Sequence, residues 1–279
     1  MTDRPLRSVL YIPGSKARAL EKAAGLPVDA VIFDLEDAVA PEEKVAARET
    51  LHAALRRDYG RRLRLVRVNG LDTEWGADDL AAFADAPCDA ILLPKVDGPE
   101  DVAAAAAHAP GKAFWAMMET CAGILAAPRT AAVVGGFVMG TNDLARELGC
   151  ATPPDRAPMA TALQTCLLAA RAAGIACVDG VFNAFRDADG LAAECRQGRD
   201  WGFDGKTLIH PAQVDVANAA FAPTPEEAEL ARRQIAAHEA ALAEGQGVAV
   251  LDGRIVENLH VETARRVLAR LEAIAELEG

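Results

Sequence analysis

The sequence has no CxxC pair, no GxGxxG after its first β-type run, and fewer positive charges than negative ones. Its apolar runs also stay well short of the ~18 uncharged residues that mark a membrane span. Each absence removes a class of function. The six cysteines, at 88, 121, 150, 166, 177 and 195, lack the paired spacing of a zinc or dithiol site. Several sit inside apolar runs, where a thiol acts as a small hydrophobe, so they read as reduced and structural. The opening "MTDRPLRSVLYIPG" has no signal-peptide core, and a cytoplasmic protein is expected. With 29 Lys and Arg against 41 Asp and Glu, a net charge of −12 and a pI of about 4.9, the chain lacks the positive footprint that nucleic acid or an anionic membrane requires. An anionic ligand would have to be held by a local basic cluster, against the overall field. The missing glycine-rich turn leaves no dinucleotide site to support a doubly wound open sheet.

What is present is enough for a full core: 279 residues, 51% hydrophobic and 25% charged. Eight short β-type runs recur at 7–14, 30–37, 64–70, 90–96, 113–120, 136–143, 175–182 and 205–211. Alanine-rich segments with helical character separate them. "PEEKVAARETLHAALRRDYG", for example, opens on Pro41 and acidic residues and closes on Arg56 and Arg57, the charge order that a helix dipole favours. Strands alternating with helices imply a parallel sheet, and eight is the number that closes it, so the predicted fold is α/β, a (β/α)8 TIM barrel. The runs at 136–143 and 175–182 are unusually far apart. Between them, residues 150–158 read as an inserted loop before a helix over 159–173. After Pro225 the pattern changes to a helix, a hairpin-like "VAVLDGRIV" and a last helix over 259–277. The expected division is a catalytic barrel over 1–222 and a C-terminal helical extension over 223–279, too small for confident autonomy.

Barrel chemistry sits at the C-terminal ends of the strands, and there the polar residues gather. "VIFDLEDAV" places Asp34, Glu36 and Asp37 at the end of an apolar run. The third run ends in Arg67 and Asn69, the fourth in Pro94 and Lys95, the fifth in Glu119, and the sixth in Asn142 and Asp143. The seventh ends in Asp179 and the eighth in His210. Because alternate strand residues share a face, turning Val31, Phe33 and Leu35 outward directs Asp34 and Glu36 into the barrel mouth. By the same parity Val66 and Val68 face outward, leaving Arg67 and Asn69 inward. Glu119 and Asp143 end adjacent strands with no His or Cys beside them. Either they share a hard cation, for which Mg2+ with retained waters suits two carboxylates, or each pairs with Arg67 or a lysine. Arg67 is either the salt-bridge partner of those acids or a bidentate clamp on a substrate carboxylate. Lys16, Arg18 and Lys22 in "PGSKARALEK" either form a solvated face or favour an anion. His210 is either a packed, hydrogen-bonded side chain or a cavity wall.

Taken together and in order, "RSVLYIPGSKARALEKA", "DAVIFDLEDAVAPEEK", "RLVRVNG", "ILLPKV", "METCAGI", "GTNDLARELG" and "GKTLIHPAQV" resemble the citrate lyase β-subunit-like family of Mg2+-dependent CoA-ester lyases, in the HpcH/HpaI aldolase superfamily. The segments "FNAFRDADGL" and "GRDWGFDGKTLIHP" and the tail "GQGVAVLDGRIVENLHVETARRVL" look most like the (3S)-malyl-CoA thioesterase branch, related to malyl-CoA and β-methylmalyl-CoA lyases. The resemblance implies Mg2+, or Mn2+ in its place, on Glu119 and Asp143. It implies substrate-carboxylate binding by Arg67, with Asn142 and Asp143 adding backbone hydrogen bonds. Glu36 and Asp37 would hold metal-bound waters, and Tyr11, Ile12, Lys16, Lys22, Ile209 and His210 would line a CoA channel. It also implies a homotrimer or homohexamer. Many lyase relatives carry an aspartate in the tail, supplied by the adjacent subunit for proton transfer; here that position is Glu257, one methylene longer. The activity implied is hydrolysis of malyl-CoA. Cleavage of a malyl-, β-methylmalyl- or citryl-CoA to an acyl-CoA and a 2-oxo acid is the alternative, as is a β subunit that works only inside a multi-subunit assembly.

Overall fold

A computed structural model describes residues 4–278; residues 1–3 and 279 lie outside the described residues. Residues 6–221 form one compact unit, and residues 222–278 with 4–5 form a second. In the first unit, strands β1 (Ser8–Pro13), β2 (Ala30–Asp34), β3 (Leu63–Arg67), β4 (Ala90–Leu93), β5 (Phe114–Met118), β6 (Gly136–Met139), β7 (Ala176–Asp179) and β8 (Gly205–Leu208) pair in sequence order and close on themselves. Every pairing is parallel, and β1 pairs with β8 to complete the ring. The helices are α1 (Ala17–Ala23), α2 (Lys44–Ala54), α3 (Gly76–Phe83), α4 (Pro99–His108), α5 (Cys121–Thr130), α6 (Thr141–Leu148), α7 (Ala160–Ala173), α8 (Ala188–Trp201) and α9 (Val214–Phe221). The expected (β/α)8 barrel is thus the fold.

The strands are nearly all apolar because both faces are buried. Val31 and Phe33 of β2 pack outward with Val66, Ile91 and Phe137 against the helices. Ala30 and Ile32 point inward with Leu65, Leu92, Trp115, Met117 and Val178 and fill the barrel. Trp115 is wide, and a Cβ at Gly136 on the neighbouring strand would run into its ring, so the large residue and the glycine go together.

The strands begin within one residue of where the sequence reading places them but stop one to four residues sooner. The polar residues that were expected to end strands mostly lie in the loops or first helical turns beyond them. On β2 the cause is local. Asp34 accepts the N–H groups of Glu36 (2.9 Å) and Ala38 (3.1 Å), a side-chain turn that takes the chain out of the sheet. At β6 the chain enters α6 directly, with Asp143 in its first turn.

Asp179 corrects the sequence reading. Cys177 and Leu208 belong to the outer layer, and by strand parity Asp179 and Lys206 face α8 rather than the barrel mouth. Both oxygens of Asp179 accept from Nη1 of Arg156, at 2.7 and 2.8 Å. Lys206 Nζ reaches Asp179 (3.1 Å), Glu194 (2.7 Å) and the carbonyl of Gly180 (2.7 Å). Burial would raise the Asp179 carboxyl, but Lys206 and Arg156 outweigh it and hold it below the usual range. Arg156 also stacks over Trp201, 5.1 Å from the ring centre, and so fastens the 150–158 loop to the barrel.

The second unit contains α10 (Pro225–Ala243), the antiparallel pair β9 (Ala249–Leu251) and β10 (Arg254–Val256), and α11 (Asn258–Glu278). Thr224 and Glu227 cap α10 reciprocally. The Asp252-Gly253 turn has positive φ at both residues, as a tight hairpin needs. Ala241, Ala249, Val256 and Val261 form this unit's own core.

Removing one partner of a buried ion cluster strands the others. Asp179→Ala is therefore expected to cost about 3–5 kcal/mol in urea unfolding, whereas Asp78→Ala, which removes an exposed partner of Arg48, should cost less than about 1 kcal/mol. Equal losses in the two variants would contradict this account of the cluster.

Candidate active site

Arg67 ends β3 at the mouth of the barrel and is buried. Its Nε and Nη2 donate to the two oxygens of Asp34 at 2.7 and 2.6 Å, a parallel two-bond clamp that fixes the plane of the guanidinium. One face of that plane lies over the Tyr11 ring, 5.0 Å from its centre. The third nitrogen, Nη1, lies 2.9 Å from Glu36 Oε2 and 3.5 Å from Asp37. Despite that distance, Glu36 Oε2 has no hydrogen-bond partner among the described residues; the guanidinium N–H points past it. Its other oxygen receives Lys95 Nζ at 3.2 Å. Burial lifts the Glu36 carboxyl above the usual range, against the pull of Arg67. Burial also pushes the Tyr11 phenol well up, so it stays neutral against the arginine.

Glu119 follows β5 and is only 2% exposed. Oε1 accepts the backbone N–H of Lys95 at 2.8 Å. Burial, reinforced by the charges of Glu36 and Asp143, pushes its carboxyl up to about 7. A Cβ at Gly140 would collide with this side chain, so the glycine that precedes α6 makes room for the acid on the neighbouring strand. Asp143, in the first turn of α6, pairs with the exposed Arg146 at 2.5 Å. Glu119, Asp143, Arg67, Asp34 and Tyr11 line one cavity of about 280 Å3, together with Asp37, Asn142, Asn183 and Ile209.

Other expected site residues fall elsewhere. The side chain of Ile12 is buried between barrel and helices, which corrects its expected place along a CoA channel. Lys16 and Lys22 are exposed, and Lys16 pairs with Glu43 at 3.5 Å. His210 is exposed; its Nδ1 accepts the N–H of Ala212 (3.1 Å) and its ring stacks on Phe185 with centres 4.7 Å apart. Asn69 does not face the mouth as parity predicted. It lies beyond the end of β3, donates to Asp79 (2.6 Å) and to the carbonyl of Leu35 (3.0 Å), and accepts from Lys44 (2.6 Å). Glu257 belongs to the second unit, where its backbone N–H donates to His260 Nδ1 (3.0 Å) just before α11.

Two contributors escaped the sequence reading, and a third, Lys95, was placed at a strand end without a role. Buried Lys44 donates to the carbonyls of Leu35 and Glu36, both at 2.9 Å, and so holds the loop that carries Glu36 and Asp37. Asn183 exchanges amide hydrogen bonds with Asn142 across the cavity rim. Lys95 touches both Glu36 and Glu119. Lys95 alone carried a visible signal, as a charged residue closing an apolar strand; Lys44 and Asn183 carried none.

Among the described residues, no group of three or more His, Cys, Asp or Glu is arranged to hold a metal ion alone. The donor set nevertheless fits a hard divalent cation that keeps waters. Glu119 and Asp143 offer two carboxylates in one cavity, and the unpartnered Glu36 Oε2 is an acceptor suited to a bound water.

A closed (β/α)8 barrel with an anchored arginine and buried carboxylates at the C-terminal ends of its strands has the layout of a barrel enzyme. The chain belongs to the HpcH/HpaI aldolase/citrate lyase family, whose model matches residues 7–211. It is 64% identical over 274 residues to a (3S)-malyl-CoA thioesterase of Cereibacter sphaeroides, covering 97% of this chain and 96% of that protein. It is 37% identical over 291 residues to citrate lyase subunit beta of Escherichia coli, covering 99% and 95%. The crystal structure of CitE from Mycobacterium tuberculosis in complex with magnesium, acetoacetate and coenzyme A matches with a TM-score of 0.83 at 30% identity, covering 97% of this chain and all of that one.

Glu119 ionises near pH 7 in the folded chain against an ordinary value of 4.5, so folding favours its protonated form. Its contribution to stability is present below about pH 4.5 and is lost as pH rises through about 7. In metal-free buffer, the stability of the wild type relative to Glu119→Gln is therefore expected to fall across that window in urea unfolding. A difference that stays flat or rises with pH would contradict this account of the burial of Glu119.

Proposed function

We propose that the protein hydrolyses (3S)-malyl-CoA to (S)-malate and CoA with the help of a divalent ion, Mg2+ or Mn2+. The observation that carries this reading is the orientation of Arg67. Asp34 takes two of its nitrogens at the edge of the cavity that Glu119 and Asp143 share, and leaves Nη1 without a hydrogen bond, beside Glu36 and Asp37. An anionic substrate would bring its carboxylate to Nη1; Asp37, exposed and 3.5 Å away, would yield the place, while Glu36, 2.9 Å away but not hydrogen-bonded, would stay beside it. The high identity to a (3S)-malyl-CoA thioesterase and the magnesium and coenzyme A in the related CitE complex support the choice of substrate and cofactor.

In this proposal Glu119 and Asp143 hold the ion, and Glu36 and Asp37 orient its waters. Bound there, the ion would supply Lewis acidity to substrate oxygens. Arg67 fixes the carboxylate end, and backbone groups of Asn142 and Asp143 add hydrogen bonds. Tyr11, Ile209, His210, Lys16 and Lys22 border the path of the CoA moiety, to which Ile12 lends only backbone. Hydrolysis needs a base to take a proton as water attacks the thioester carbonyl and the carbon–sulfur bond breaks. We assign that role to Glu257, delivered by a neighbouring subunit of a homotrimer or homohexamer; exposed Val250, Ile255 and Leu259 in the C-terminal unit support a subunit contact there. A cytoplasmic location accords with six free thiols.

Carbon–carbon cleavage to acetyl-CoA and glyoxylate is the second reading, supported by the likeness to citrate lyase subunit beta; β-methylmalyl- or citryl-CoA would be cleaved in the same way. One assay separates the two. With purified protein, Mg2+ and malyl-CoA, free thiol is expected without glyoxylate. Glyoxylate with little thiol would establish the lyase, and neither product would unseat both readings as well as any activity independent of a partner. Arg67→Lys, which cannot keep two bonds to Asp34 while reaching substrate, is expected to lower kcat/KM by about 30-fold, equivalent to losing ~2 kcal/mol of charged hydrogen bonding. A loss under about threefold would remove Arg67 from substrate binding.

A further inference from the structure

Lys95 has an unusual backbone. It follows β4 with φ +49°, in the left-handed region shared among the described non-glycine residues only with Arg156 and Asp252. A residue with a Cβ pays roughly 1 kcal/mol to sit there, and such strain persists where surrounding contacts impose it, often at working sites. Two contacts impose it here. The N–H of Lys95 donates to Glu119 Oε1 at 2.8 Å, and its ammonium reaches Glu36 Oε1 at 3.2 Å. One residue thus holds acids that come from β2 and β5.

Its charge matters as much as its geometry. The acids at the mouth are Asp34, Glu36, Asp37, Glu119 and Asp143; the cations in contact with them are Arg67, Lys95, Arg146 and Lys44, which donates to the carbonyl of Glu36. With every group ionised, five negative charges face four positive ones. The remaining negative charge favours a cation. Without Lys95 the excess would be two, and Glu36 would keep only its 2.9 Å approach to Arg67 Nη1 as an ionic contact. A cation would then be held more tightly, while an anionic substrate approaching Arg67 would meet more repulsion.

We propose that Lys95 is a positioning residue that sets this balance: its backbone holds Glu119, and its ammonium offsets Glu36 so that the site binds its divalent ion only as tightly as admission of an anionic substrate allows. The inference rests on the reading that Glu119 and Asp143 hold that ion. A merely structural lysine would, when replaced, weaken ion and substrate together. The proposed role moves them in opposite directions.

The test uses the full chain, with Mn2+ binding followed by electron paramagnetic resonance and steady-state kinetics on malyl-CoA. Lys95→Met is expected to bind Mn2+ about three- to tenfold more tightly, the scale of one partly screened charge, and to raise KM by a similar factor with a smaller change in kcat. Lys95→Gly guards against misfolding, since it accepts positive φ and keeps the N–H on Glu119; it should show the same two signs. Lys95→Arg should bring both back toward the wild type. Mn2+ binding that is unchanged or weaker in the Met and Gly variants, or a KM that does not rise, overturns the proposal. Glu119→Gln separates the two levels: if it binds Mn2+ as the wild type does, the metal assignment fails and this inference with it. If it loses Mn2+ while the Met and Gly variants match the wild type, only the role of Lys95 falls.

Discussion

Burying a carboxylate is costly unless positive charge or donors accompany it. Glu119 is almost wholly enclosed, and the donor found for it is one backbone N–H. The strain on Lys95, the space left by Gly140 and the nearby Asp143 all surround that one acid. The arginine next to it is already committed, because Asp34 takes it through two short, parallel bonds. What the cavity offers a cation is two carboxylates, and what Arg67 keeps outside the Asp34 clamp is one nitrogen.

The barrel makes this arrangement possible at little cost to its own stability. Its interior is filled by Trp115, Met117, Ile32 and Leu92, and the polar groups of the site gather at the end where the strands stop. Short strands help. Because β2 ends at Asp34 and β6 at Met139, the acids sit on turns and first helical residues whose backbones can be aimed separately. Behind them, Lys44 ties the β2 loop to Asn69, and Asn69 in turn to Asp79. Arg156 does comparable work on the far side by fastening the inserted loop to Asp179.

Strand alternation made much of this legible in advance. It placed Asp34 and Arg67 inward correctly, since both lie inside regular strands where period two holds. It failed for Asn69 because that residue lies past the end of β3, where the alternation no longer applies. It was not applied to Asp179, whose neighbours Cys177 and Val178 would have turned it toward α8. The strand ends were overrun for a related reason: apolar residues continue into loops that are themselves buried, and hydropathy does not mark the last sheet hydrogen bond. Lys44 looked like an ordinary residue at the start of a helix, and only the folded loop shows its ammonium between two carbonyls. Glu36 Oε2, unpartnered beside an arginine, depends on angles that no sequence pattern carries.

The central claim is that Glu119 and Asp143 together seat a divalent ion. It is tested most directly by anomalous diffraction from crystals soaked in Mn2+. The account predicts one strong peak in the cavity, about 2.0–2.3 Å from one oxygen of each carboxylate and otherwise surrounded by waters, with a water in reach of Glu36. No peak between those two side chains, or a peak bound by other residues while Glu119 stays paired only with the N–H of Lys95, would contradict it.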